Sequence, residues 1–197
     1  GAKLSLVLAL REERQTLRGV FCDARNQIVG IRDTFSPISI GPIHELAFTG
    51  IHIIEPEILE RIPSRGFSCL VNEVYPQMLK EGLRIHPIYT TNYFADLGTH
   101  ERYLAALRDC MDEPLRIPSP PKAKLDKIQI EKGAKIIEPV HLSGEIRIEQ
   151  NCQIGPYLSM HGDFSVAHGI SLSNAAVFGE GRIEKNLQNE LFYSRKT

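Results

Sequence analysis

Few residues in this chain could do chemistry, and most of them stand alone. Asp96 lies in Tyr93-Phe94-Ala95-Asp96-Leu97, just past an apolar run, and Gly98-Thr99 then opens a helical pattern. A carboxylate can hold a divalent cation. It can equally end a strand and help cap the helix that follows Gly98. Gly50, in Phe48-Thr49-Gly50-Ile51, either relieves a strand bulge or lets a ligand approach the backbone closely. His141, His161 and His168 are of the residue type used for general-base work. His161 and His168 stand at or beside turn residues, where surface exposure is the simpler explanation. Cys22, Cys69, Cys110 and Cys152 form no C-x-x-C pair. Disulfides or a zinc site stay open, but reduced, buried thiols in a cytoplasmic protein are the expectation.

The elements that must position these residues can be read from the pattern. Pro114, Pro118, Pro120 and Pro121 mark a linker over 114–121, because such density excludes helix interiors and sheet centres. It divides a mixed α/β region, 1–113, from a repeat region, 122–197. In the first, the run Leu4–Leu10 is expected as a strand buried on both faces. Val20-Phe21-Cys22, a turn at Asp23-Ala24-Arg25-Asn26 and Gln27–Ile31 read as a hairpin. Ala47–Ile54 is a further strand, Pro56–Ile62 a helix with proline in its first turn, Cys69–Leu79 a helix and Leu83–Tyr89 a strand. Thr99 is placed to cap a last helix, with Tyr103, Leu104 and Leu107 on its buried face.

From residue 130 the period becomes six. Apolar residues recur at Ile130, Ile136, Leu142, Ile148, Ile154, Met160, Val166, Leu172 and Phe178. Four positions after each stand Ala134, Val140, Ile146, Cys152, Leu158, Phe164, Ile170 and Ala176, with Arg182 the polar exception. A period of six puts successive apolar residues on opposite sides of a 3.6-residue helix, so no helix explains it. A triangular solenoid with one hexad per side does, both sets pointing inward. The repeats are expected from Lys124 to Ile183, with the phase slipping after Ile183 and Leu187, Leu191 and Phe192 forming a terminal cap. Composition adds exclusions. The net charge of -1 argues against a nucleic-acid or membrane partner, both of which favour a basic excess. No apolar run approaches the roughly 20 residues of a membrane span, and no signal-peptide pattern is present.

Taken in order, the motifs resemble those of sugar-phosphate nucleotidyltransferases, which join a sugar 1-phosphate to a nucleoside triphosphate. Tyr93-Phe94-Ala95-Asp96-Leu97-Gly98-Thr99-His100-Glu101-Arg102-Tyr103 resembles the family's W-x-D-x-G-T-P-E-x-Y element. Phe48–Leu59 is similar to its N-A-G-I-Y-x-x-x-P-x-x-L segment, and Val74–Leu79 with Gly82–Ile85 to the helix and strand between them. Several members also carry a hexapeptide β-helix after this half, the mannose enzymes among them. The fold class implied is α/β, the C-terminal part of a Rossmann-like nucleotidyltransferase domain, followed by a left-handed parallel β-helix.

The resemblance implies a sugar 1-phosphate and a nucleoside triphosphate as substrates, Mg²⁺ as cofactor and Asp96 as one of two metal carboxylates. It places Gly50, Thr49, Asp33 and Thr34 on the sugar-phosphate side and assigns no catalytic residue here. The family's glycine-rich G-x-G-x-R-x-x-P-x-x-K loop is absent from the sequence, and Gly1–Val7 looks like the stretch following that half. The chain is therefore expected to be one part of a longer parent, inactive alone and prone to self-association. Asp33-Thr34-Phe35 stands where the family has E-K-P, so the phosphate-binding lysine is missing and Arg32 is the candidate substitute. That departure supports a second expectation, a silent paralogue serving as a structural or regulatory oligomerising subunit. A minor third is a hexapeptide acyltransferase using a histidine among His141, His161 and His168.

Overall fold

The computed structural model describes residues 3–10, 19–112 and 127–194, which gather into two compact units, 1–94 and 95–197. The proline-rich linker and the start of the repeats at Lys124 lie outside the described residues. No helix among the described residues is long and apolar enough to cross a membrane.

The first unit is a six-stranded sheet. Its strands are β1 (Leu4–Leu10), β2 (Val20–Cys22), β3 (Ile28–Ile31), β4 (Thr34–Phe35), β5 (His44–Ile54) and β6 (His86–Thr90), in the order β4-β3-β2-β5-β1-β6. Strand β1 runs antiparallel to β5 and parallel to β6. Leu4, Leu6 and Leu8 alternate onto one face and are fully buried in a core with Ile58 of helix α1 (Pro56–Leu59) and Met78 and Leu79 of helix α2 (Tyr75–Lys80). The expectation of burial on both faces fails, because Ser5 and Val7 on the other face are only half-buried and Leu10 is 73% exposed. Helix formation after Cys69 also differs. Leu70–Val74 is a wide π turn, and the α-helix begins at Tyr75. Pro76 has no N–H for the carbonyl of Asn72, so the regular ladder cannot run through that turn.

The β2–β3 turn is held by Asp23, whose carboxylate accepts the backbone N–H groups of Arg25 (2.9 Å), Gln27 (3.1 Å) and Ile40 (3.2 Å). Burial would raise its pKa, but the amides of Gln27, Arg25 and Ile40 outweigh that and hold it below the ordinary carboxylate range.

The second unit joins helix α3 (His100–Asp112) to a parallel β-solenoid. Helix α3 packs on the solenoid, with Tyr103 edge-on to Phe178, Arg108 donating to Asn174 (2.8 Å) and Tyr157 donating to Asp112 (2.8 Å). The strands are β7 (Lys127–Ile130), β8 (Lys135–Ile136), β9 (Val140–Ser143), β10 (Glu145–Ile148), β11 (Gln153–Ile154), β12 (Leu158–Val166), β13 (Ser171–Ile183) and β14 (Leu187–Ser194). Coils stack with a repeat of eighteen residues, or three hexads: Ile128 on Ile146 on Phe164, and Ile136 on Ile154 on Leu172.

The phase slips earlier than expected. Leu158 pairs with Ala175 and Met160 with Val177, a repeat of seventeen, so one residue is lost next to Asn174, whose φ is 43°. In a strand, a one-residue shift turns every side chain to the other face. Ala175, Val177 and Ile183 therefore fill the core, while Phe178 and Arg182, assigned inward by the hexads, point outward. Leu187–Ser194 forms a fourth rung on β13 rather than a separate cap. At one corner Gly144, Gly162 and Gly179 stack so closely that a Cβ on Gly162 would lie 1.8 Å from the carbonyl oxygen of Gly179.

Candidate functional site

Four places carry the candidate side chains, two in each unit. Asp96 precedes α3. Its Oδ1 accepts the Gly98 N–H at 3.0 Å, and its Oδ2 receives the guanidinium of Arg102 from the first turn of the helix. Thr99 is the N-cap, its Oγ1 accepting the Arg102 N–H at 3.3 Å. Asp96 and Arg102 are each somewhat over a quarter exposed, at 29% and 28% of their side-chain surface. Arg102 drew no attention in sequence, and its spacing from Asp96 across a capped turn was the signal available.

Thr49 and Gly50 form a bulge in β5. Leu6 pairs with His52 and Leu8 with Phe48, so Thr49, Gly50 and Ile51 together face the single residue Val7. The Thr49 hydroxyl donates to the Val7 carbonyl at 2.9 Å, which pins the bulge. Gly50 has a φ of 84°, a conformation that disfavours any other residue, and no heavy atom stands within 4 Å of where its Cβ would be. The backbone at Gly50 is thus open to approach within this unit.

Asp33 and Thr34 lie elsewhere. Arg32 and Asp33 make the tight turn between β3 and β4, Arg32 at φ 55°, and Thr34 pairs with Ile31 on the edge strand. With β3 and β2 intervening before β5, they stand roughly 14 Å from the Thr49-Gly50 strand at about 4.8 Å per strand. The two halves of the expected sugar-phosphate contact do not meet in the sheet.

Sequence reading missed a polar pair beside the bulge, between buried Tyr75 and exposed His52. Tyr75 is fully buried, and its hydroxyl lies 3.0 Å from His52 Nδ1. Burial, with a smaller contribution from Cys69, pushes the phenol up to about 12. A cleft of about 460 Å³ near α2 is lined by Arg61, Ser68, Glu73, Gln77 and Glu81. Its polar groups already bond one another, Arg61 to Glu81 at 2.7 Å and Ser68 to Glu73 at 3.0 Å.

On the solenoid, His141 and His161 meet with ring centroids 5.0 Å apart, and His161 stacks on Phe178 (5.6 Å), which stacks on Tyr193 (5.3 Å). His161 Nε2 is 2.8 Å from the hydroxyl of buried Ser159. Burial and then the neighbouring His141 lower the pKa of His161. His168 is apart from them, exposed, its backbone N–H bonded to Glu149.

Mg²⁺ prefers six oxygen ligands, usually including one or two carboxylates. Among the described residues no group of three or more His, Cys, Asp and Glu is gathered to hold a metal. Asp96 stands as a lone carboxylate with both oxygens engaged. With a guanidinium on one oxygen and an amide on the other, the Asp96 carboxylate as it stands does not fit a magnesium ligand.

No protein-family model matches the chain. It is 27% identical over 151 residues to a UTP–glucose-1-phosphate uridylyltransferase of Synechocystis, covering 68% of this chain and 37% of that protein. Probable mannose-1-phosphate guanylyltransferase 3 of Oryza sativa is 26% identical over 137 residues, covering 70% and 35%. Mannose-1-phosphate guanylyltransferase 1 of Arabidopsis thaliana is 28% identical over 138 residues, again covering 70% and 35%. The chain is thus similar to sugar-phosphate nucleotidyltransferases over about two thirds of its own length, and it spans a little over a third of theirs.

Proposed function

We propose that this chain is part of a sugar 1-phosphate nucleotidyltransferase, in which it supplies the sugar-phosphate side of the site. The observation that carries the reading is its similarity to three such enzymes, two of them guanylyltransferases acting on mannose 1-phosphate. The sheet followed by a parallel solenoid agrees with the arrangement the motifs implied. Within the chain, the Thr49-Gly50 bulge is the sugar-facing contact, because Gly50 leaves the backbone open and Thr49 holds it in place. Asp33 and Thr34 lie at the β4 edge of the sheet, three strands from β5, and are left out of that proposed contact.

The test is pyrophosphate release in the presence of Mg²⁺, with mannose or glucose 1-phosphate and GTP or UTP. The parent protein is expected to turn over one of these pairs. The 197-residue chain alone, whose sequence carries no glycine-rich phosphate loop, is expected to release none. Turnover by the isolated chain above a heat-inactivated control contradicts the division of labour proposed here.

A second reading draws on two specific observations: Asp96 is paired with Arg102, and Thr34 replaces the expected phosphate-binding lysine. On that reading the chain is a silent relative that associates through its solenoid. A parent protein inactive with every pairing above, yet oligomeric by light scattering only while residues 127–194 are present, decides for it.

A further inference from the structure

We infer that Asp96 is a clasp for the first turn of α3 and not a metal ligand, so that divalent-cation binding by this chain does not pass through its carboxylate. Both oxygens are committed, Oδ1 to the Gly98 amide and Oδ2 to Arg102. A cation seated on that carboxylate would have to displace the guanidinium or lie against it, and like charges at such range repel.

The clasp is complete within seven residues. Thr99 caps the helix and accepts the Arg102 N–H, while Asp96 receives the Arg102 side chain. Gly98 packs closely against both partners. A Cβ there would sit 3.2 Å from Asp96 Oδ1 and 3.6 Å from the Arg102 guanidinium. A carboxylate beside a helix N-terminus is also favoured by the exposed N–H groups of the first turn. Tyr103, next in the chain, makes the edge-on contact with Phe178, so the clasp sets the turn that aims α3 onto the solenoid. Nucleotidyl transfer by a longer protein would then draw its metal carboxylates from elsewhere. The inference does not depend on that activity, and its test uses no nucleotide or sugar.

The experiment titrates the full chain with Mn²⁺ as probe, following free Mn²⁺ by electron paramagnetic resonance, for wild type, Asp96→Asn and Arg102→Gln. Urea unfolding is measured on the same proteins and on the double variant. Wild type and Asp96→Asn should take up Mn²⁺ identically. Each single change should lower the folding equilibrium constant about two- to fivefold, as for a partly exposed ion pair. The double variant should lose no more than the worse single one, because the two residues act as one contact. Mn²⁺ binding by wild type that disappears in Asp96→Asn overturns the inference, as do additive losses in the double variant. Should Asp96→Asn fold too poorly for the titration, Arg102→Gln still decides, since Mn²⁺ uptake equal to wild type supports the clasp only if its stability has dropped.

Discussion

In the unit of residues 1–94, the leucines of β1 pack against side chains drawn from many elements: Val20 and Cys22 of β2, Ile28 and Ile31 of β3, Ile58 of α1, Met78 and Leu79 of α2. In the unit of residues 95–197, a core residue meets the same position one coil away, as Ile136, Ile154 and Leu172 do in turn. The first core depends on non-local geometry that no short stretch specifies. The second is a one-dimensional stack, in which a coil contacts its neighbours and little else. Close backbone approach is routine in the stack and exceptional in the sheet, so the same substitution should weigh differently in the two.

Glycine replacement gives the largest contrast. Gly162 has a φ of 123° and no space for a Cβ beneath Gly179, whereas Gly82 in the sheet unit has a φ of 73° and open space around it. Gly162→Ala is expected to cost about 3–5 kcal/mol or abolish folding of the solenoid, because backbone strain and steric overlap combine. Gly82→Ala should cost about 1 kcal/mol, the backbone contribution alone. Urea denaturation followed by circular dichroism checks both, and equal losses would erase the distinction between the units.

A smaller effect should come from the buried phenol of the sheet unit. Tyr75→Phe removes a hydrogen bond and leaves His52 Nδ1 without that partner. The expected loss is about 1 kcal/mol. If His52→Ala gives the same loss and the double variant no more, the pair acts as one contact.

The smallest effect is a pH dependence confined to the solenoid. The pKa of His161 is depressed in the fold by burial and by His141. Above its ordinary value of about 6.5 both folded and unfolded chains hold it neutral, and stability is unaffected. As pH falls through that value the unfolded chain takes up a proton that the fold resists. Stability therefore declines until pH passes below the folded pKa. His161→Phe should flatten this decline in urea midpoints measured between about pH 7 and pH 5. An unchanged slope would assign the decline to other groups.

The two units also differed in how far they could be read from sequence. Strand β1, the β2–β3 hairpin and the Thr99 cap were legible because each rests on local signals: a continuous apolar run, a turn cluster, a hydroxyl before a periodic stretch. The solenoid was legible because its period repeats through many hexads. Its last part was misread at Phe178 and Arg182, since the lost residue beside Asn174 falls in a turn, where the hexad pattern carries no apolar marker. The candidate site was far less legible. Whether a carboxylate faces a metal ion or an arginine is decided by side-chain placement, and the Arg102 contact of Asp96 carried no signal in the motif. For Gly50 the strand bulge is present, and its outer side is open.

That bulge is where the proposed function can be tested most directly. Mannose 1-phosphate and glucose 1-phosphate are titrated into isotope-labelled chain, with backbone amides followed by nuclear magnetic resonance, in wild type, Gly50→Ala and Gly82→Ala. Both glycines have positive φ and open space, at 84° and 73°, so the two changes carry similar backbone strain. The proposal predicts that one sugar phosphate shifts the amides of Thr49, Gly50 and Ile51 in wild type and in Gly82→Ala, and that Gly50→Ala loses at least about tenfold in affinity, roughly 1.4 kcal/mol. Shifts that avoid residues 49–51, or a Gly50→Ala variant that binds as wild type does, would contradict it.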